Sequence, residues 1–261
     1  MKNLIKAINS SKPFLVDYTL AKQHIELTQK YGMTDLISQL FGESPKPYMV
    51  NSTCVIPVVG MIGKCLSPME SIGCCDVEEL DDWIDEALGS GCTQIIFDIN
   101  SDGGCVDGVE EIANKIRSLP VETVAYSSGS MNSAAYWIGS ACNKVITSLS
   151  ASVGSIGCYV TFTDLSAAAA AQGITVQVFK SGEMKGAGIA GTSLSEAQAS
   201  YIQADVDTCG NTFKAAVMMK RKYAKAEDMQ GQSFSGKVAA TKGLVTGLSP
   251  SLKELLKITA K

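Results

Sequence analysis

Two short stretches of this chain combine features that acyl transfer requires. Gly103-Gly104 stands just before a helical pattern, so its backbone N–H groups can approach a ligand with no Cβ in the way. Ser133 opens a second, shorter helical pattern, where free N–H groups and the positive dipole end favour a developing oxyanion. Taken alone, Ser133 is no more than a helix N-cap. A hydroxyl nucleophile also needs a base, and the chain holds a single histidine, His24, in a polar N-terminal segment. A Ser–His–Asp triad would have to use it, and no HExxH zinc motif can be written. His24 reads as a structural or surface residue, so the base of a hydrolase here is expected to be another residue type.

The elements that must hold these residues alternate. Residues 55–62 form a β-branched run and read as a strand. Asp76 and Glu79 have capping-box spacing ahead of Leu80, Trp83, Ile84, Ala87 and Leu88, which recur at helical intervals. A buried strand at 94–99 and a turn at 101–104 lead to a helix with Val106, Val109, Ile112, Ala113 and Ile116 on one face. Strands at 122–127 and 144–147 flank a loop at 128–132 and a short apolar helix at 133–140. Beyond a Ser/Gly-rich loop ending at Gly157, strands are expected at 159–163 and 175–179 around an Ala-rich helix. Ser193 and Glu196 have the spacing of a second capping box, opening a long helix to about Tyr223. The C-terminal part reads as strand, helix, strand, helix. Such alternation implies an α/β fold with a largely parallel sheet. Three loops, 101–104, 128–133 and 150–157, follow strands, where sites gather in such folds.

Several function classes are excluded. The net charge is −4, and no basic stripe offers a surface to nucleic acid. The cluster Lys220, Arg221, Lys222 and Lys225 reads as a solvated helix face. The first twenty residues are broken by charges and Pro13, so no signal-peptide core is expected. No uncharged apolar run looks membrane-spanning, so the expected location is the cytoplasm, with no membrane partner. The nine cysteines are an odd number without C-x-x-C spacing; reduced, mostly buried thiols and no metal are expected. Gly186-Ala-Gly-Ile-Ala-Gly191 fits G-x-G-x-x-G, but the expected strand ends too early and the helix opens after the last glycine. No dinucleotide, and no cofactor of any kind, is expected. The absence of Ser-x-x-Lys excludes a dyad of the penicillin-binding type.

Four segments then fall in a telling order: Asn100-Ser-Asp-Gly-Gly104, Asn132-Ser-Ala-Ala-Tyr-Trp-Ile138, Ser152-Val-Gly-Ser-Ile-Gly157 and Lys180-Ser-Gly-Glu-Met-Lys185. Together they resemble the signature segments of the signal peptide peptidase A family (peptidase family S49), which includes phage head-maturation, or capsid-assembly, proteases. The resemblance spans about residues 50–248. It implies a Clp protease/crotonase-like spiral of β-β-α units and a serine endopeptidase with a Ser–Lys dyad. Carried over position by position, it makes Ser133 the nucleophile and Lys185, 52 residues later, the base. Ser155 matches the serine that supports the lysine, and the amides of Gly104 and Ala134 match the oxyanion hole. Asp102 stands where the family usually has proline, which loosens the turn and brings a carboxylate near the site. Ala134-Ala135 replace glycines of many members and narrow the pocket. Ser130 is the nearest rival nucleophile, but no helix starts after it.

A lysine acts as a base only when neutral, which burial favours. The small neighbours Gly186, Ala187 and Gly188 suit that, and Glu183 is expected to point outward. The expected organisation is an N-terminal extension and linker at 1–50, the protease domain at 51–248 and a C-terminal helix at 249–261. The lack of leader and anchor favours a phage or prophage head-maturation protease cleaving scaffold and capsid proteins, in the host cytoplasm or prohead. A soluble bacterial peptidase of the same family is the alternative; a catalytically silent capsid-assembly scaffold partner is the alternative of another class. The family resemblance also implies a homo-oligomer that shields its sites.

Overall fold

The computed structural model of the chain describes residues 14–15, 45–66 and 73–259, with backbone alone at 14–15 and 258–259. His24 and most of the N-terminal extension lie outside these residues. The largest sheet has six strands: β2 (Tyr48–Val50), β3 (Thr53–Val59), β6 (Gln94–Asn100), β8 (Glu122–Ser127), β10 (Lys144–Thr147) and β13 (Gly247–Leu248). They lie in the order β13-β10-β8-β6-β3-β2. All neighbours are parallel except the β2–β3 edge pair. Strands β3, β6 and β8 are buried along nearly their whole length because both their faces are covered.

After each long strand the chain turns into a short one that joins a smaller sheet. One small sheet holds β1 (Phe14–Leu15), β7 (Gly104–Cys105), β4 (Met61–Gly63) and β5 (Cys74–Asp76). The other holds β12 (Ser233–Ser235), β11 (Ser152–Gly154) and β9 (Ser130–Asn132). The expected strand at 55–62 is therefore two strands, broken at Gly60, whose φ of +84° takes the corner. The loops expected at 128–132 and 150–157 likewise contain β9 and β11.

Helices close each unit. In α1 (Val77–Gly89) the Asp76 side chain caps the Glu78 amide, and Val77, Leu80, Ile84 and Ala87 face the core. Helix α2 (Val109–Ser118) buries Val109, Ile112, Ala113 and Ile116. Helix α3 (Ala134–Ala141) is apolar on every side and wholly buried, as such a helix must be. Trp137 of α3 stacks on Phe213 of the long helix α5 (Glu196–Lys220), with ring centroids 4.6 Å apart. Trp137 and Ile138 are core residues, as expected.

Arg221 corrects the solvated-face reading of the basic cluster. It is 2% exposed and donates to the carbonyls of Ser140 and Cys142 at the C-terminus of α3. A guanidinium there satisfies carbonyls that the helix leaves unpaired and opposes its negative end. Lys222 and Lys225 are exposed, as expected.

The region from 159 to 195 departs most from expectation. Only Tyr159 keeps a β-bridge, and 175–179 is not a strand. Helix α4 (Ser166–Ala171) forms, but none of the residues 159–195 is buried. Alternation makes a strand only where a sheet edge and a core are within reach, and this segment projects as an arm. The capping box of α5 lies two residues later than expected. Ser195 Oγ accepts from the Gln198 amide and Gln198 Oε1 accepts from the Ser195 amide. Glu196 is the first helical residue, and the Ser193 hydroxyl pairs instead with that of Ser166 (2.9 Å). Helices α6 (Gly236–Thr241) and α7 (Leu252–Thr259) and the strands before them match the expected C-terminal pattern.

Candidate active site

The three short strands β7, β9 and β11 bring the loops at 101–104, 130–133 and 152–155 together. Main-chain bonds lace them. Ser101 N–H donates to Ser130 O (2.8 Å), Asn132 N–H to Ser101 O (3.1 Å), and Ser133 N–H to Gly154 O (2.8 Å). Ser133 is the pivot between β9 and α3, with φ 54° and ψ −124°. A non-glycine residue there is strained, by about 1–3 kcal/mol, and the strain is held by the bonds on both sides of it. The Ser133 carbonyl accepts from Trp137 N–H (2.9 Å), the first turn of α3. This strand–turn–helix geometry pushes a serine hydroxyl to the head of a helix. Ser133 is 2% exposed, and its hydroxyl makes no hydrogen bond among the described residues.

Ala134 is the first helical residue, so its N–H has no intrahelical acceptor. Gly104 is buried, and a Cβ there would lie 1.9 Å from the Ile62 carbonyl oxygen. Only glycine lets β7 pack this closely on β4. Gly103 adds φ +108°, which is costly for any side chain. Ser155 is half-buried at φ 52° and fixed through its amide to Gln232 O (2.7 Å). Ser130 sits within β9, with no helix after it.

Sequence reasoning missed Asn132. Its Nδ2 donates to Asp102 Oδ1 (3.1 Å) and Ser152 Oγ (3.0 Å), and its Oδ1 accepts from Ser233 Oγ (3.0 Å). One amide thus ties together all three loops and β12, beside Ser133. The proline-to-aspartate departure at position 102 was the available signal, since a carboxylate there needs a donor. Asn132→Ala leaves the Asp102 carboxylate without this donor. We expect a loss of about 1–3 kcal/mol of stability, read as a fall of a few degrees in a thermal melt.

Lys185 lies elsewhere in kind. It is exposed, in a turn where its N–H donates to Gly182 O (3.1 Å), and its amine has no hydrogen bond or ion pair among the described residues. The described chain therefore brings Ser133, Ala134, Gly104 and Ser155 to one set of laced loops and does not hydrogen-bond Lys185 to Ser133. Glu183 is exposed, and its carbonyl accepts from Lys180 and Gln198. The arm carries Lys185 among outward apolar side chains: Ile174, Val178, Met184, Ile189 and, at 93% exposure, Phe179.

The model of peptidase family S49 matches residues 115–258, more than half of the chain, from α2 through the Ser133 turn to α7. The chain belongs to peptidase family S49. No curated protein matches this S49 peptidase. Among solved structures, it is similar to an enoyl-CoA hydratase from Shewanella pealeana (8% identity, TM-score 0.51, covering 87% of this chain and 76% of that one). It is also similar to a mutant of ClpP1 from Listeria monocytogenes (16% identity, TM-score 0.45, 88% and 99%). A third is the 1510-N membrane protease specific for a stomatin homolog from Pyrococcus horikoshii (16%, TM-score 0.39, 78% and 78%). The likeness to the enoyl-CoA hydratase shows the crotonase-like fold expected from the sequence. Among the described residues, no helix is long and apolar enough to cross a membrane.

Proposed function

We propose that this serine peptidase is an endopeptidase in which Ser133 attacks the peptide carbonyl and Lys185 is its general base. The observation that carries the reading is the backbone at Ser133: a buried, strained serine at a helix start, with its hydroxyl unengaged. Neutral Lys185 takes the Ser133 proton as the Oγ–carbonyl bond forms. The oxyanion is held by the amides of Gly104 and Ala134, and the protonated amine passes its proton to the leaving nitrogen. Water then cleaves the acyl-enzyme by the same route, with Ser155 positioning the amine.

The exposed setting of Lys185 bears on how the dyad closes. A neutral lysine needs a dry surrounding, and the arm presents apolar side chains rather than burying them. The reading is therefore a homo-oligomer in which the arm seats on a neighbouring subunit and delivers Lys185 to that subunit's Ser133.

For substrates we propose phage scaffold and capsid proteins, cut in the host cytoplasm or the prohead. The support is the likeness of the four signature segments to head-maturation proteases. A soluble bacterial peptidase of the same family is the alternative. Mass spectrometry of capsid-gene products co-expressed with wild type or with Ser133→Ala tests this. New termini present only with the wild type are expected; identical products with both would sink the head-maturation role.

A further inference from the structure

Cys158 and Cys209 stand apart from the other seven cysteines. Six of those are buried and one, Cys65, is exposed. Cys158 is the last residue before the arm, and Cys209 lies midway along α5, the helix into which the arm returns. Their Sγ atoms are 2.7 Å apart, although 51 residues separate them in sequence. That is well inside the contact distance of two unbonded sulfurs, and a formed disulfide needs only a further contraction to about 2.05 Å. Both side chains are half-buried, and Cys209 lines a cavity of about 640 Å³ between the turn at Val106–Gly108 and α5. A small oxidant can therefore reach the pair.

We propose that Cys158 and Cys209 form a reversible disulfide that ties the root of the arm to α5. The two thiols are not equivalent. The hydrogen bond to Cys209, with burial, holds the Cys158 thiol protonated, and that same bond lowers the pKa of Cys209. Lys214 faces Cys158, while Asp205 and Glu110 face Cys209. Cys209, the one of the two that lines the cavity, is the thiol that an oxidant reaches first. With a hydroperoxide as oxidant, its sulfur takes one oxygen, the O–O bond breaks, and the alcohol or water leaves. Cys158 then attacks the resulting sulfenic acid, the S–S bond forms, and the hydroxyl departs as water with the Cys158 proton. Two electrons pass from the thiols to the peroxide in total.

The bond would close a loop containing the whole arm, Lys185 included, and so remove freedom from the unfolded chain. Its formation does not depend on the protease reading. The test is full-length protein treated with hydrogen peroxide, alkylated and mapped by mass spectrometry without reduction. The expected result is one cross-linked peptide pair joining Cys158 to Cys209 and a mass loss of two hydrogens. The melting temperature should rise by about 4–10 °C, reversed by dithiothreitol. The wild-type comparison needs no variant to fold; Cys158→Ser and Cys209→Ser should each lose the reversible rise. Independent alkylation of both residues after peroxide, over-oxidation of Cys209 without linkage, or a bond from Cys209 to Cys65 would each overturn the proposal.

Discussion

Replacing Ser133 with alanine is expected to lower peptide cleavage by about 10⁴-fold or more while leaving the fold intact. The hydroxyl makes no hydrogen bond among the described residues, so its loss breaks nothing structural. Alanine keeps the Cβ and the same strained φ of 54°. The melting temperature should therefore stay within the roughly 0.5 kcal/mol scatter of neutral substitutions. Ser133→Gly separates catalysis from strain. Glycine relieves about 1–3 kcal/mol of backbone strain and gives back about 0.5–1 kcal/mol through the greater freedom of its unfolded state. The glycine variant should be as inactive as the alanine variant, yet melt about 2–4 °C above it. A fluorophosphonate probe should label wild type at Ser133 and neither variant. Labelling of Ser130 instead, or full activity in Ser133→Ala, would reject Ser133 as nucleophile.

That a serine is both strained and free is a feature only the structure displays, although its position was legible in the sequence. Ser133 could be placed because a loop, a serine and an apolar run in succession describe a helix start, and such local patterns depend on near neighbours. The same holds for α1 and α2, whose buried faces follow from helical spacing, and for β3, β6, β8 and β10, whose burial needs only two covered faces. What escaped is what depends on distant partners. Asn132 bonds to residues 30, 20 and 101 positions away, and nothing in its own neighbourhood announces them. Arg221 looked solvated because it stands among lysines, yet it crosses 79 residues to cap α3. The alternation at 175–179 failed for the converse reason: the pattern is present, but no sheet edge lies beside it. Cys158 and Cys209 meet only because α5 runs back past the point where the arm leaves the core.

Lys185→Ala is expected to lower cleavage by about 10³-fold or more, with an unchanged thermal melt. The side chain is exposed and unbonded in the described chain, so a structural loss cannot account for lost activity. The decisive measurement is complementation. When Ser133→Ala and Lys185→Ala chains are co-expressed, one supplies intact lysines and the other intact serines. If the arm serves a neighbour, random assembly pairs them at about one site in four, and activity returns to that fraction. If each chain closes its own dyad, both partners stay dead in the mixture. Phe179→Asp sharpens the result, because it places a charge on the most exposed apolar side chain of the arm. It should weaken assembly and cleavage together while leaving Ser133 and its laced loops untouched. Undiminished cleavage by Lys185→Ala would remove the base altogether, since the neutral amine is the only group the reading assigns to take the Ser133 proton.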